Sequence, residues 1–217
     1  MNKYLKIPLA GFAISFLGSL PPGTLNITAF EIAASQNQNQ AIIFTVGAVL
    51  IEMLVIWMLL KPSGRIKVSD RFLFYLFPVT IIFLLYLAIS NFVSLATSVG
   101  FQAEERSFLN LKSVFFLGVL LSALNPLQIP FWIGWTKALR VKNIFWDGPM
   151  SYVLYIGAIG LGTFLALALF ILGGQQIIES YSVYGHIITL LLGATYFGFA
   201  CYLTYLFFKK YFKLKIR

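Results

Sequence analysis

Glu52 sits in GAVLIEMLVIW, near the middle of an apolar run from Ala41 to Leu60. At the centre of a membrane helix an acidic side chain costs about 2.5–3.5 kcal/mol, so it has a partner or a task. Burial disfavours its ionised form, which suits a group that takes up and releases protons. The alternative is a structural role, a protonated carboxyl donating to a backbone carbonyl freed at a nearby helix break. Two such breaks are written in the sequence. GSLPPGTLNIT (18–28) carries Pro21, Pro22, Gly23, Thr24, Asn26 and Thr28, and SALNPLQIPFW (122–132) carries Asn125, Pro126, Gln128 and Pro130. Proline removes a backbone donor, clashes with the preceding turn and pushes the residue before it out of helical geometry. The N–H groups freed at a broken half-helix can cradle a carboxylate, and the freed carbonyls an ammonium, the two charges of an amino acid. Thr24, Thr28, Glu31 and Ser35 share one helical face and could line an outward path, with Asn26 on another face.

The elements that hold these residues are membrane helices. Hydrophobic residues make up 59% of the 217, charged residues only 11%, and the mean hydropathy is +0.87. The apolar residues fall in six runs: Pro8 to Ser35, Ala41 to Leu60, Phe72 to Leu95, Phe108 to Thr136, Pro149 to Gly173 and Tyr184 to Phe208. Each can cross a hydrocarbon core, which takes about 20 helical residues. None alternates as a barrel strand would. The reading is an all-α integral membrane protein of six transmembrane helices, a single domain over 1–217. Lys3 and Lys6 before an apolar stretch also suit a signal peptide, but no small-residue cleavage site follows and the run continues to Ala34, so the segment is expected to stay as the first span.

The first and fourth runs are too long to be straight. About 28 helical residues rise roughly 42 Å, against a core of about 30 Å. Both are therefore expected to break near the membrane midplane, where the prolines lie. SLPPGTLNI (19–27) aligns with ALNPLQIPF (123–131), Pro22 matching Pro126, and FLG precedes both, at 16–18 and 116–118. Residues 1–95 and 108–208 then form two three-helix repeats of inverted orientation. Corresponding broken helices in inverted repeats point to a transporter with its site at the repeat interface. The plainer alternative is a pair of proline kinks without function.

Charge sets the orientation. Of sixteen Lys and Arg, fourteen fall on one side of six crossings: Lys3, Lys6, Lys61, Arg65, Lys67, Arg71, Lys137, Arg140, Lys142, Lys209, Lys210, Lys213, Lys215 and Arg217. The other side has Arg106 and Lys112, offset by Glu104 and Glu105. Both termini are therefore expected in the cytoplasm, with 209–217 a basic cytoplasmic tail that can also meet anionic lipid. Trp57, Trp132, Trp135 and Trp146 fall near the same helix ends and read as interfacial anchors. Charges scattered over short loops do not make a nucleic-acid surface. One cysteine, Cys201, excludes an intrachain disulfide, and one histidine, His186, near an outer helix end, leaves no HExxH or His pair; GxSxG is absent too. No cofactor and no enzyme activity are expected. Gly157, Gly160, Gly162, Ala194 and Gly198 read as sites of close helix approach.

These features resemble the LysE-type family of amino-acid exporters, the lysine and homoserine/threonine exporters. The likeness lies in Pro22-Gly23 of the first span, Gly47 to Glu52 in the second, Asn125, Pro126 and Phe131 in the fourth, and LLGATYFGFACYL in the sixth. It departs where the family's Pro-Gly-Pro reads Pro22-Gly23-Thr24, where Glu52 replaces a common Asp, and where Leu127 replaces a common Lys. The resemblance implies a bacterial inner-membrane exporter of amino acids or related metabolites, driven by the proton gradient, and leaves self-association open. The expected mechanism is rocking of the two halves around a midplane site built from Pro22, Gly23, Thr24, Asn26, Thr28, Asn125, Pro126 and Gln128, with Glu52 coupling protons. The alternative substrate is a divalent or other inorganic cation held by Glu52, Glu31 and asparagine oxygens.

Overall fold

The computed structural model describes residues 3–35, 37–60, 70–96, 111–177 and 181–212. Lys61, Arg65, Lys67, Glu104, Glu105, Arg106, Lys213, Lys215 and Arg217, which carry much of the charge asymmetry, lie outside the described residues.

All described elements are helical: α1 (Lys3–Ser19), α2 (Thr24–Ser35), α3 (Gln38–Leu60), α4 (Asp70–Ala96), α5 (Leu111–Ala123), α6 (Gln128–Val141), α7 (Pro149–Ile177) and α8 (Tyr181–Tyr211). α3, α4, α7 and α8 are each long and apolar enough to cross a membrane. The expected breaks are present. α1 and α2 are bent by 71° and α5 and α6 by 62°, each across a gap of at most four residues, giving up to six spans if each bent pair is one. Apolar side chains point outward along whole helix faces: Val79, Ile82, Tyr86, Ile89 and Val93 on α4, and Leu161, Leu165, Leu169 and Leu172 on α7, are all exposed. Spacings of three and four residues make these continuous stripes, as lipid-facing surfaces require.

Packing runs across the chain rather than along it. The most extensive helix pairs are α1 with α7, α4 with α8, and α3 with α5. Glycines set two of these approaches. A Cβ at Gly118 of α5 would overlap the Phe44 carbonyl of α3, and one at Gly47 would overlap the Phe115 carbonyl. A Cβ at Gly162 of α7 would sit 2.7 Å from Phe12 O and 3.0 Å from Phe16 N of α1. Gly160 also packs closely, on Met53, but nothing lies within 4 Å of a Cβ at Gly157 or Gly198, and Ala194 is exposed. Those three do not mediate close approach in this structure.

The α4–α8 pair is closed by tilted and edge-on ring contacts of Phe74 and Phe77 with Phe207 and Tyr211, by a 3.0 Å ion pair from Lys210 to Asp70, and by Phe92 against Gly193. All three extensive pairs join residues 1–95 to residues 108–208, so the two segments interleave.

Candidate functional site

The two breaks meet at a cavity of about 260 Å³. At the first, α1 stops at Ser19 because the prolines at 21 and 22 cannot continue its hydrogen bonding. α2 restarts with Ile27 N–H donating to Gly23 O at 3.0 Å. The Asn26 amide reaches back across the gap and donates to the carbonyls of Ser19 and Pro21, the latter at 3.2 Å. At the second break Asn125 Oδ1 accepts from Leu127 N–H at 3.2 Å, and Gln128 N–H donates to Asn125 O at 3.3 Å. Thr80 of α4 places its hydroxyl 2.6 Å from Leu124 O. Pro130 falls in the first turn of α6, where its missing N–H leaves no helical bond unmade.

The polar balance of the cavity follows. The carbonyls of Ser19 and Pro21 accept from the Asn26 amide, and Leu124 O shares the single Thr80 hydroxyl proton with Leu76 O. By contrast, the backbone N–H groups of Thr24, Leu25 and Asn26 have no protein acceptor among the described residues, and the buried Gln128 Nε2 has none either. Gln128 Nε2 is buried, and an unmet buried donor costs about 1–3 kcal/mol, so it favours an acceptor-bearing ligand or water, as do the unpaired N–H groups at the start of a helix. The expectation that freed carbonyls would hold an ammonium does not fit the carbonyls that Asn26 and Thr80 already engage.

Of the residues singled out in the sequence, Gly23, Thr24, Asn26, Glu52, Asn125, Pro126 and Gln128 line the cavity. Pro22 and Thr28 do not. Pro22 is exposed, and Thr28 is buried with its hydroxyl 2.5 Å from Tyr196 Oη and 2.6 Å from Thr24 O. The stripe from Thr24 to Ser35 is therefore packed rather than open: Glu31 is buried, and Ser35 donates to Glu31 O at 2.7 Å. Glu31 does not line the cavity, and the described residues contain no group of three His, Cys, Asp or Glu placed to hold a metal ion.

Among the described residues, Glu52 is the one ionisable side chain lining the cavity. Its Oε1 accepts from Trp132 Nε1 of α6 at 3.2 Å, and its Oε2 lies 2.6 Å from Thr163 Oγ1 of α7. Thr163 in turn lies 2.6 Å from Ser15 Oγ of α1, which donates to Ile159 O at 2.8 Å. One carboxyl on α3 is thus bonded directly to one broken span and, through two hydroxyls, to the other. Trp132 is 2% exposed, so it is a site residue and not an interfacial anchor. The sequence alone does not single out Ser15, Thr80, Trp132 or Thr163 for the site. Thr163 carries a signal, being the polar residue beside the glycines at 160 and 162. Ser15 and Thr80 carry none, since isolated hydroxyls are ordinary in membrane helices.

Comparison with known proteins adds one finding. The family model described as LysE type translocator matches residues 16–206, which takes in both breaks and every residue of the cavity except Ser15. No curated protein and no solved structure matches.

Proposed function

The chain belongs to the LysE type translocator family, and on that premise we propose that it exports amino acids or related small metabolites across the bacterial inner membrane in exchange for protons. The observation that carries this reading is the placement of Glu52, alone among the described ionisable groups, in a cavity between two broken spans and hydrogen-bonded toward both. The unmet N–H groups at the start of α2 suit the carboxylate of a solute. Glu52 then serves its ammonium and a proton in turn. Because the two cations compete for one carboxyl, proton entry and solute exit are linked without a second acidic site. A volume of about 260 Å³ lies just below the usual range of about 300–1,000 Å³ for ligand pockets, which favours a small solute.

The inverted-repeat reading draws support from the packing. If the second three-helix unit repeats the first upside down, α1 on α7 has its counterpart in α5 on α3, and both pairs are built around glycine. VGAV at 46–49 and IGAI at 156–159 occupy corresponding stretches of α3 and α7. Six crossings put both termini on one side of the membrane, and the excess of basic residues there makes it the cytoplasmic side on this reading.

The substrate is found by comparing metabolites in the medium of cells with and without the gene. The solute found is then tested in proteoliposomes, where Glu52→Gln is expected to abolish pH-gradient-driven uptake while the protein stays folded. Undiminished driven uptake by Glu52→Gln removes the proton role. A phenotype confined to metal ions replaces the amino-acid reading with that of a cation exporter.

A further inference from the structure

The contacts around Glu52 contain more hydrogen bonds than the hydroxyls have protons to make. Ser15 Oγ approaches both Ile159 O, at 2.8 Å, and Thr163 Oγ1, at 2.6 Å, while Thr163 Oγ1 also approaches Glu52 Oε2 at 2.6 Å. All three separations are hydrogen-bonding distances for O–H donors. Ser15 and Thr163 supply one proton each. The Ile159 carbonyl cannot donate, so the Ser15 proton is committed there. The Thr163 proton must then serve either Ser15 or Glu52. With an ionised carboxylate one of the three contacts has no proton and sets two oxygen lone pairs against each other. With a proton on Oε2 the chain closes in one direction: Glu52 donates to Thr163, Thr163 to Ser15, and Ser15 to the Ile159 carbonyl. Oε1, now the carbonyl oxygen of the acid, is the natural acceptor for the Trp132 N–H.

We infer that Ser15 and Thr163 are positioning residues that transmit the protonation state of Glu52 to the end of α1, fastening it to α7 when the carboxyl is protonated and releasing one link when it is not. The inference rests on the reading that Glu52 exchanges protons. One proton is added to or removed from Oε2 and no other covalent bond changes; the hydroxyl protons stay on their own oxygens and only rotate. At Gly162 the helices touch through backbone and Ser15 Cβ, so the turn of α1 that carries Ser15 lies directly against α7 beside Thr163. Ser15 lies one turn before the break at Ser19, and Gly18 and Ser19 form part of the cavity wall, so a shift of this turn reshapes the space a solute occupies. Among the described residues nothing charged competes for Glu52 in the cavity. The groups it meets from α1, α6 and α7 are Ser15, Trp132 and Thr163, while Glu31 on α2, Lys137 and Arg140 on α6, and Tyr152 and Tyr155 on α7 do not line it.

The test needs no substrate. In the Cys201→Ser protein reconstituted in lipid, the carboxyl C=O stretch in the infrared, identified as the band lost in Glu52→Gln, reports protonation. Spin labels at the exposed Leu17 of α1 and Leu165 of α7 report their separation. With Glu52 present, band and separation are expected to change over the same pH range. Glu52→Gln, whose amide nitrogen can donate to Thr163 while its oxygen accepts from Trp132, is expected to hold the low-pH separation at every pH. Thr163→Val and Ser15→Ala are expected to keep a titrating band and lose the pH-dependent shift in separation, and Thr163→Ser to restore it. A separation that still follows pH in Thr163→Val and Ser15→Ala overturns the relay alone. A band that does not titrate overturns the proton-exchange reading together with it.

Discussion

Asn26 offers a sharp test of whether the break is a built structure or merely a weak point. Its amide donates to the carbonyls of Ser19 and Pro21, the groups orphaned when α1 ends. Asn26→Ala removes both donors. Ser19 is only partly exposed, so its carbonyl loses about 1–3 kcal/mol; Pro21 is exposed and can turn to water, which limits its share to about 0.5–1.5 kcal/mol. The sum is about 1.5–4.5 kcal/mol. For a chain of this size each kcal/mol moves the melting temperature by about 2–4 °C, so thermal unfolding in detergent should show a loss of at least about 3 °C. Asn26→Asp should be worse than Asn26→Ala, because it sets acceptor oxygens against two carbonyl oxygens. A loss under about 1 °C for Asn26→Ala, or an Asp variant as stable as the Ala variant, refutes the brace and returns Asn26 to the solute-binding set expected from sequence alone.

Two further outcomes follow from the helix geometry. Gly118→Ala drives a methyl into the Phe44 carbonyl, an overpacking that costs about 1–3 kcal/mol, whereas Gly157→Ala and Gly198→Ala meet open space and should stay within about 0.5 kcal/mol of the parent, all read from melting curves. The crossing of the α5–α6 pair is read with a thiol reagent that cannot pass the membrane, applied to intact cells carrying Cys201→Ser with a single cysteine in place of Asn39 or of Lys142, both exposed. With α3 and α4 crossing, six spans put position 39 outside and 142 inside, so only 39 is labelled; the same response at both positions makes the α5–α6 pair a re-entrant loop, labelling of 142 alone makes the α1–α2 pair one, and either result removes the six-span reading.

What can be read from the sequence is whatever a residue does to its own backbone. Pro21-Pro22-Gly23 and Asn125-Pro126 interrupt helices by local sterics, and the helices stop and restart there. The apolar runs delimit the spans closely for the same reason, since length and composition are local properties. Partners are not legible, because they are made by closure of the chain. Asn26 reads equally as a ligand for solute or as a cap for a carbonyl until Ser19 is placed beside it. Trp132 reads as an interfacial anchor until Glu52, 80 positions away in sequence, is found against its indole. Glycine patterns fail in the same way: Gly157, Gly160 and Gly162 look alike, yet only the last two have a helix or a long side chain pressed against them.

The interleaving of the two sequence segments also redirects where motion belongs in the proposed transport cycle. α1, α2, α3, α5, α6 and α7 are linked through α7 and α3, and three of these interfaces, α1–α7, α2–α7 and α3–α5, tolerate no added methyl without displacement. α4 and α8 pack chiefly on each other, tied by tilted and edge-on aromatic contacts and the Asp70–Lys210 pair, and reach the rest mainly through α2 and through the Thr80 hydroxyl near Leu124 O. The cavity lies between these two bodies: Thr80, Phe83, Leu84, Phe199 and Leu203 form one wall, while Glu52, its hydroxyl partners and both breaks form the other. We propose that the α4–α8 pair moves against the remainder in the transport cycle, which changes that space without parting the close contacts of α1 with α7 and of α3 with α5. On that proposal the carboxyl that exchanges the proton belongs to the body joined by close glycine contacts, and the wall facing it belongs to the α4–α8 pair.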